Sequence, residues 1–237
     1  MRALFFTVVF AAGLGGLYLV VPWFAKSILR RRLLVRARRT GGVCLTFDDG
    51  PEPRSTPRIL QLLEEAGAKA TFFLLGRQAE QYPELVRQIV AAGSEVGEHG
   101  QGHRHAWKTG PLAYWRDLQQ GRRSVAKALG VGRYKVRVYR PAFGEMNLLT
   151  LLYLALERRR LVMWDVNPRD FEQTSGADVA ARVINLLEPG SIILFHDGRA
   201  DAPGDPEVTV EAVRQVLTEA QRRGLRLVTA SEAMGSP

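Results

Sequence analysis

Seven short apolar runs, at residues 43–47, 70–75, 95–97, 136–140, 161–164, 191–195 and 226–228, alternate with stretches of helical periodicity. The intervening helices are predicted from their punctuation. One opens at Ser55-Thr56-Pro57 and ends at Gly67; others cover 83–92, 112–129, 147–158, 177–187 and 207–223. Strands that alternate with helices in this way form a parallel sheet, either open or closed into a barrel. A length of 237 residues suits one such domain with a full core. No internal repeat or low-complexity linker interrupts the pattern.

Composition narrows the classes of function. Apolar residues make up 46% and charged residues 24%, which excludes a disordered tail. A single cysteine, Cys44, forms no internal disulfide and no zinc ribbon, so any metal must be held by His, Asp or Glu. Cys44 itself lies in the first apolar run and reads as core. The net charge of +9 suggests nucleic acid until it is divided. Residues 1–40 carry eight basic side chains and no acid; the rest carries 25 basic against 24 acidic. A nearly neutral main domain argues against a nucleic-acid partner.

The basic excess flanks a second feature. Residues 3–25 contain no charge, and Tyr18, Trp23 and Phe24 lie near the basic end. About 20 apolar residues cross a bilayer as a helix, with aromatics preferred at the interface. The expectation is a transmembrane anchor over 1–25, a basic juxtamembrane tether over 26–41 and a catalytic domain over 42–237. A cleaved signal peptide is the rival, but no convincing small-residue cleavage site precedes the arginines. Location would then be the cell membrane, through a single N-terminal pass. The basic flank favours a cytoplasmic catalytic domain.

Active sites of parallel α/β barrels lie at the C-terminal ends of the strands. Here those ends carry Asp48-Asp49-Gly50-Pro51, then His99 and His103, Arg140-Pro141, Asp165 and Asp170, and His196-Asp197. Adjacent buried aspartates need a positive partner, which a divalent cation supplies. His99 and His103, spaced as one helical turn, can converge on one ion with Asp49. That leaves an open position for water. Asp48 is then free as a general base, and His196 can protonate a leaving group. Arg140 can hold Asp48 ionised, and Asp170 can do the same for a charged His196. Each element alone has a plainer reading, as a turn, a loop histidine or a structural ion pair. The coincidence at five strand ends is what carries the inference. His105 reads as a solvated neighbour, Asp197 as a loop cap, and Trp164 as core or pocket wall.

These residues resemble the motifs of the polysaccharide deacetylase family, the NodB homology domain or carbohydrate esterase family 4. Thr46-Phe47-Asp48-Asp49-Gly50-Pro51 is similar to its first motif, and His99-Gly100-Gln101-Gly102-His103 to its second. Arg140-Pro141-Ala142-Phe143-Gly144 resembles the third, Asn167-Pro168-Arg169-Asp170-Phe171 the fourth and Leu194-Phe195-His196 the fifth. The resemblance runs from about residue 42 to 230. It implies a distorted (β/α) barrel of about seven strands. It implies a metal-dependent hydrolase that removes N-acetyl groups from cell-envelope polysaccharide containing N-acetylglucosamine. Asp48 would be the base, His196 the acid, Arg140 and Asp170 their partners, and Asp49, His99 and His103 the metal ligands. The Phe143 N–H would help hold the oxyanion, with Leu194 and Trp164 lining the acetyl pocket. Zinc is the implied metal, with Co²⁺ or Ni²⁺ acceptable to the same donors. The family mostly works outside the cytoplasm, so the resemblance implies an extracytoplasmic catalytic domain, against the basic flank. A lipid-linked sugar at the bilayer is the alternative substrate, and a non-catalytic glycan-binding relative the alternative role. Three positions depart from the pattern: Gly100 replaces Ser or Thr, Asn167 replaces Asp, and Phe171 replaces Trp.

Overall fold

The computed structural model describes residues 2–130, 136–172, 175–198 and 205–235. It opens with helix α1 (Arg2–Thr40), then β1 (Cys44–Asp48), α2 (Thr56–Glu65), β2 (Thr71–Leu74), α3 (Gly76–Gln81) and α4 (Pro83–Ala91). Next come β3 (Glu95–Glu98), α5 (Pro111–Ala128), β4 (Val138–Tyr139), α6 (Leu148–Leu156) and β5 (Arg160–Leu161). The chain ends with α7 (Gly176–Leu186), β6 (Ile192–His196), α8 (Pro206–Arg222) and α9 (Ala230–Ala233).

The sheet is parallel throughout, in the order β5-β4-β3-β2-β1-β6. Among the described residues it has six strands and curls into a half-barrel, which corrects the expected seven-stranded barrel. The seventh run makes only an isolated bridge, Val43 with Leu227. Val43 is the last residue available for pairing there, because Gly41, at φ 68°, turns the chain away into α1. The run at 161–164 also stops early as a strand. Past Leu161 the chain crosses toward the far edge, where Val166 bridges Ile193 and the Leu194 N–H donates to Val166 O at 2.9 Å.

Alternation along the strands builds two cores on the two faces of the sheet. Leu45, Phe47, Phe72, Val96, Ile193 and Phe195 pack outward against α2, α4, α7 and α8. Phe47 stacks on both Phe72 and Phe195, with centroids 4.9 and 5.8 Å away. Cys44, Phe73, Val138 and Ile192 face inward, and α1 covers them with Leu33 and Ala37.

Helix α1 also corrects the membrane reading. Among the described residues, no helix is long and apolar enough to cross a membrane. The side chains of residues 2–12 and 14, which include Leu4–Phe10 of the expected anchor, lie outside those described. The helix does not end where an anchor would. It continues as one element to Thr40, and its second half docks on the domain. Lys26 donates to Gly144 O at 3.1 Å and pairs with Glu145 at 2.9 Å; Arg30 donates to Trp164 O at 2.9 Å. The first basic residues after the uncharged stretch thus meet protein partners instead of headgroups. The anchor and the membrane location drawn from it do not stand.

Candidate active site

The period of two along β1 and β6 assembles the site's floor. Thr46 pairs in register with Leu194, and Asp48 with His196. Thr46 and Asp48 therefore share the inner face with Leu194 and His196, while Phe47 and Phe195 point into the outer core. The next residue, Asp49, would ordinarily point away, but its φ of 72° turns the chain at the strand end. Aspartate tolerates this left-handed conformation better than most residues. The turn is clasped by the residues just past β6, where the Asp197 and Gly198 N–H groups donate to Asp48 O at 3.2 and 3.3 Å.

Asp48 is buried, and its Oδ1 accepts from Arg140 Nη1 at 2.7 Å. Arg140 is fully buried and tightly held. It donates to Thr46 Oγ1 at 2.8 Å and to Val162 O at 3.1 Å. Its guanidinium lies 4.2 Å from the Phe73 ring centroid and 5.3 Å from that of Trp164. Such a charge is tolerable only with this combination of anion, hydrogen bonds and aromatic faces.

His99 and His103 meet beside Asp49. Both Nε2 atoms lie 3.5 Å from Asp49 Oδ1, and one ligand atom from each of the three residues falls within 4.8 Å of the others. The expected helical turn is absent. Residues 99–103 form a loop, bent by Gly100 at φ 83° and His103 at φ 58°. The donor set fits a divalent cation on three observations. Asp49 Oδ1 is buried without a hydrogen-bond partner. His99 Nδ1 lies 2.8 Å from Arg140 O, a pure acceptor, so Nδ1 carries the proton and Nε2 keeps its lone pair. Burial also lowers the His99 pKa despite the nearby aspartates, which favours the neutral, ligating form. Tetrahedral zinc with bonds of about 2.0–2.1 Å separates its ligand atoms by about 3.4 Å, close to the 3.5 Å seen here.

His196 is braced from behind. Its Nδ1 lies 2.8 Å from Asp170 Oδ1, and its backbone N–H donates to Asp170 Oδ2 at 2.8 Å. Thr209 Oγ1 donates to the same Asp170 Oδ2 at 2.9 Å. Burial alone would push the His196 pKa down, but the Asp170 charge and hydrogen bond outweigh it and raise it to about 9. Burial likewise works against Asp170 ionisation, yet the His196 charge holds its pKa below the usual carboxylate value. Phe171 meets the His196 ring edge-on, with centroids 5.1 Å apart.

The remaining positions divide. Phe143 has a left-handed backbone, φ 57°, and its exposed ring meets that of His103 at a tilt, with centroids 4.3 Å apart. His105 is no isolated solvated side chain; its ring stacks on Phe143, with centroids 5.0 Å apart. Leu194 is buried on β6, and Trp164 sits between Arg140 and Gly144, where an added Cβ would meet the indole at 2.7 Å. Asp197 is indeed a loop clasp, accepting from Thr56 Oγ1 at 2.6 Å; burial, with Asp49 and Asp48 nearby, pushes it up to about 7. Asn167 is exposed, and its side chain accepts from the Arg169 N–H within its own turn. Asp165 stays outside the cluster and accepts from the Ile192 N–H at 2.7 Å. Thr46 and Phe73 hold Arg140, yet neither was foreseen in that role. Thr46 could have been found as the one polar residue inside the first apolar run; Phe73 carries no signal apart from its strand.

A parallel α/β sheet that gathers Asp48, Asp49, His99, His103 and His196 at the C-terminal ends of its strands, with Arg140 bound to Asp48, has the donor and acceptor groups that a hydrolytic site needs. The chain belongs to the polysaccharide deacetylase family, whose model matches residues 36–157. It is therefore an enzyme of the glycan deacetylase class. A peptidoglycan-N-acetylglucosamine deacetylase of Bacillus cereus is 30% identical over 81% of this chain and 87% of its own length. A chitooligosaccharide deacetylase of Azorhizobium caulinodans is 32% identical over 78% of this chain and 90% of its own. The solved structure of a peptidoglycan N-acetylglucosamine deacetylase superposes with a TM-score of 0.74 at 30% identity, covering 83% of this chain and 89% of that one.

Proposed function

We propose that this protein hydrolyses N-acetyl groups on N-acetylglucosamine units of a cell-envelope glycan. One observation carries the reading: Asp48 and His196 lie opposite each other in register, with the unpartnered Asp49 Oδ1 and two histidine Nε2 atoms beside them. Asp49, His99 and His103 would hold the metal, with zinc the first choice and Co²⁺ or Ni²⁺ acceptable. A divalent cation in this position supplies Lewis acidity to the acetyl carbonyl and lowers the pKa of water.

The chain's own residues supply the proton transfers. Asp48, oriented by its hydrogen bond from Arg140, takes a proton from the attacking water as the new C–O bond forms. The Phe143 backbone N–H donates to the oxygen that gains negative charge. His196, kept charged by Asp170, gives its Nε2 proton to the nitrogen as the C–N bond breaks. Acetate and a free amine leave. Leu194 and Trp164 bound the space for the acetyl methyl. The lipid-linked sugar rested on the anchor alone and is not carried further. The binding-only reading has no feature of the site in its favour.

Acetate release by the full chain from N-acetylglucosamine oligomers tests the reading. The full chain is needed because Leu33 and Ala37 of α1 are part of the core. Release should stop with a chelator and return with Zn²⁺. Release that ignores the chelator would contradict the metal-centred site, and no release from a metal-loaded chain would contradict the substrate.

The acid role has a pH signature. His196 donates only when protonated, so kcat should fall as pH rises through its pKa. A nearby dication opposes the imidazolium charge, so in the loaded enzyme the titration lies at lower pH than in the apo-protein. Asp170→Asn removes the charge that raises it. The alkaline limb of kcat should move down by about 1–3 pH units. An unmoved limb would remove His196 from the acid role.

A further inference from the structure

The backbone of the loop that carries both histidines gets no brace from a side chain at position 100. Gly100 has none, and its φ of 83° is strained for any other residue. What holds the loop comes from α5. Asp117, buried on that helix, accepts from the Gln101 N–H with Oδ2 at 3.0 Å and from the Gly102 N–H with Oδ1 at 2.9 Å. Arg104 Nε, just past the second histidine, lies 3.5 Å from the same Oδ1. The fit leaves no slack. A Cβ on Gly100 would stand 2.7 Å from Asp117 Oδ2, and one on Gly121 of α5 would stand 2.4 Å from the Gly100 carbonyl carbon. On the other side the loop's backbone meets α3, where Gly76 N–H donates to Gly100 O at 2.8 Å and Arg77 N–H to Gln101 O at 3.1 Å.

We infer that Asp117 is a positioning residue for the cation site: its carboxylate, clamping two successive amides between His99 and His103, sets the angle at which the two imidazoles converge. This rests on the proposed metal-binding reading of Asp49, His99 and His103. A carboxylate is required because both oxygens accept. An amide in its place offers one acceptor and turns an NH₂ toward a backbone N–H, leaving that buried amide unpaired. Partners behind ligating residues typically tune metal affinity by about 10–100-fold.

The test is Zn²⁺ affinity of the full-length apo-protein, measured by competition with a chromophoric chelator. Asp117→Asn should weaken binding about 10–100-fold while stoichiometry stays at one ion per chain. Amide exchange at Gln101 and Gly102 should quicken in the same apo-protein. Ser124→Ala is the control: it removes the α5 hydroxyl that bonds the Gln101 side chain at 2.8 Å but spares both backbone bonds. It should stay within about twofold of the parent. If the Asn protein does not fold, Asp117→Ser is measured instead, with the same expectation. Equal affinity for the parent and the Asp117 variant overturns the inference and leaves the metal site intact. A parent chain that binds no Zn²⁺ overturns the metal reading itself, and this inference with it.

Discussion

Asp48→Asn should lower turnover by about 10²–10⁴-fold while the protein still binds one metal ion per chain. The range is that of a positioned general base, which the amide cannot replace because it takes no proton at neutral pH. The two halves of the result depend on different atoms. The proposed ligand from this turn is Asp49 Oδ1, whereas Asp48 Oδ1 is committed to Arg140. The substitution is close to isosteric, and an amide oxygen can still accept from Nη1. It does strip the fully buried Arg140 of its counter-charge, and breaking a buried pair of this kind costs about 3–5 kcal/mol. Thermal denaturation should therefore show a clear drop, and activity must be read well below the variant's midpoint. A variant that turns over at the parent rate would remove Asp48 from the base role. One that loses the metal as well would mean that Asp48 and Asp49 share the ion.

The sequence displays the strand ends clearly because two patterns coincide there. Apolar runs are legible by length and β-branching, and the polar residues that close them stand out against the run. Asp48, His99, Arg140 and His196 were all found this way. Closure was harder to see. Whether the last apolar run adds a strand depends on how many residues lie opposite it, and Gly41 leaves only Val43. The anchor misled for a related reason. Local apolarity is the same whether a helix faces lipid or protein, and what separates them is the partner of the flanking charges. Lys26 and Arg30 find theirs at Glu145 and Trp164, more than a hundred positions away in sequence. The histidine loop shows the same limit. Four-residue spacing fits a helical turn, yet the positive φ values at Gly100 and His103 produce convergence by another route. The clamp from Asp117 is invisible in sequence, where it is one acid within an amphipathic helix.

His99→Ala and His103→Ala should each abolish stoichiometric metal binding, and activity with it. Three protein ligands are the minimum for a tight site that keeps a position open. Removing one should weaken affinity by more than the roughly 10–100-fold expected for an outer partner. Stability offers a readout that does not depend on turnover. Zn²⁺ at about 100 times its Kd stabilises the folded state by about 2.7 kcal/mol, or a Tm rise of about 5–10 °C for a domain of this size. The parent chain should show that rise and both variants should lose it. The two substitutions should differ in their apo forms. His99 is almost fully buried and lies 2.8 Å from Arg140 O, so its loss opens a cavity and frees a buried carbonyl. His103 is partly exposed, so its removal should lower the apo Tm less. His196→Ala completes the comparison: it should keep the full Zn²⁺-dependent rise and lose turnover. A rise that survives in either His99→Ala or His103→Ala would place the ion elsewhere, because among the described residues Asp49, His99 and His103 are the one set of three donors gathered within 4.8 Å of one another.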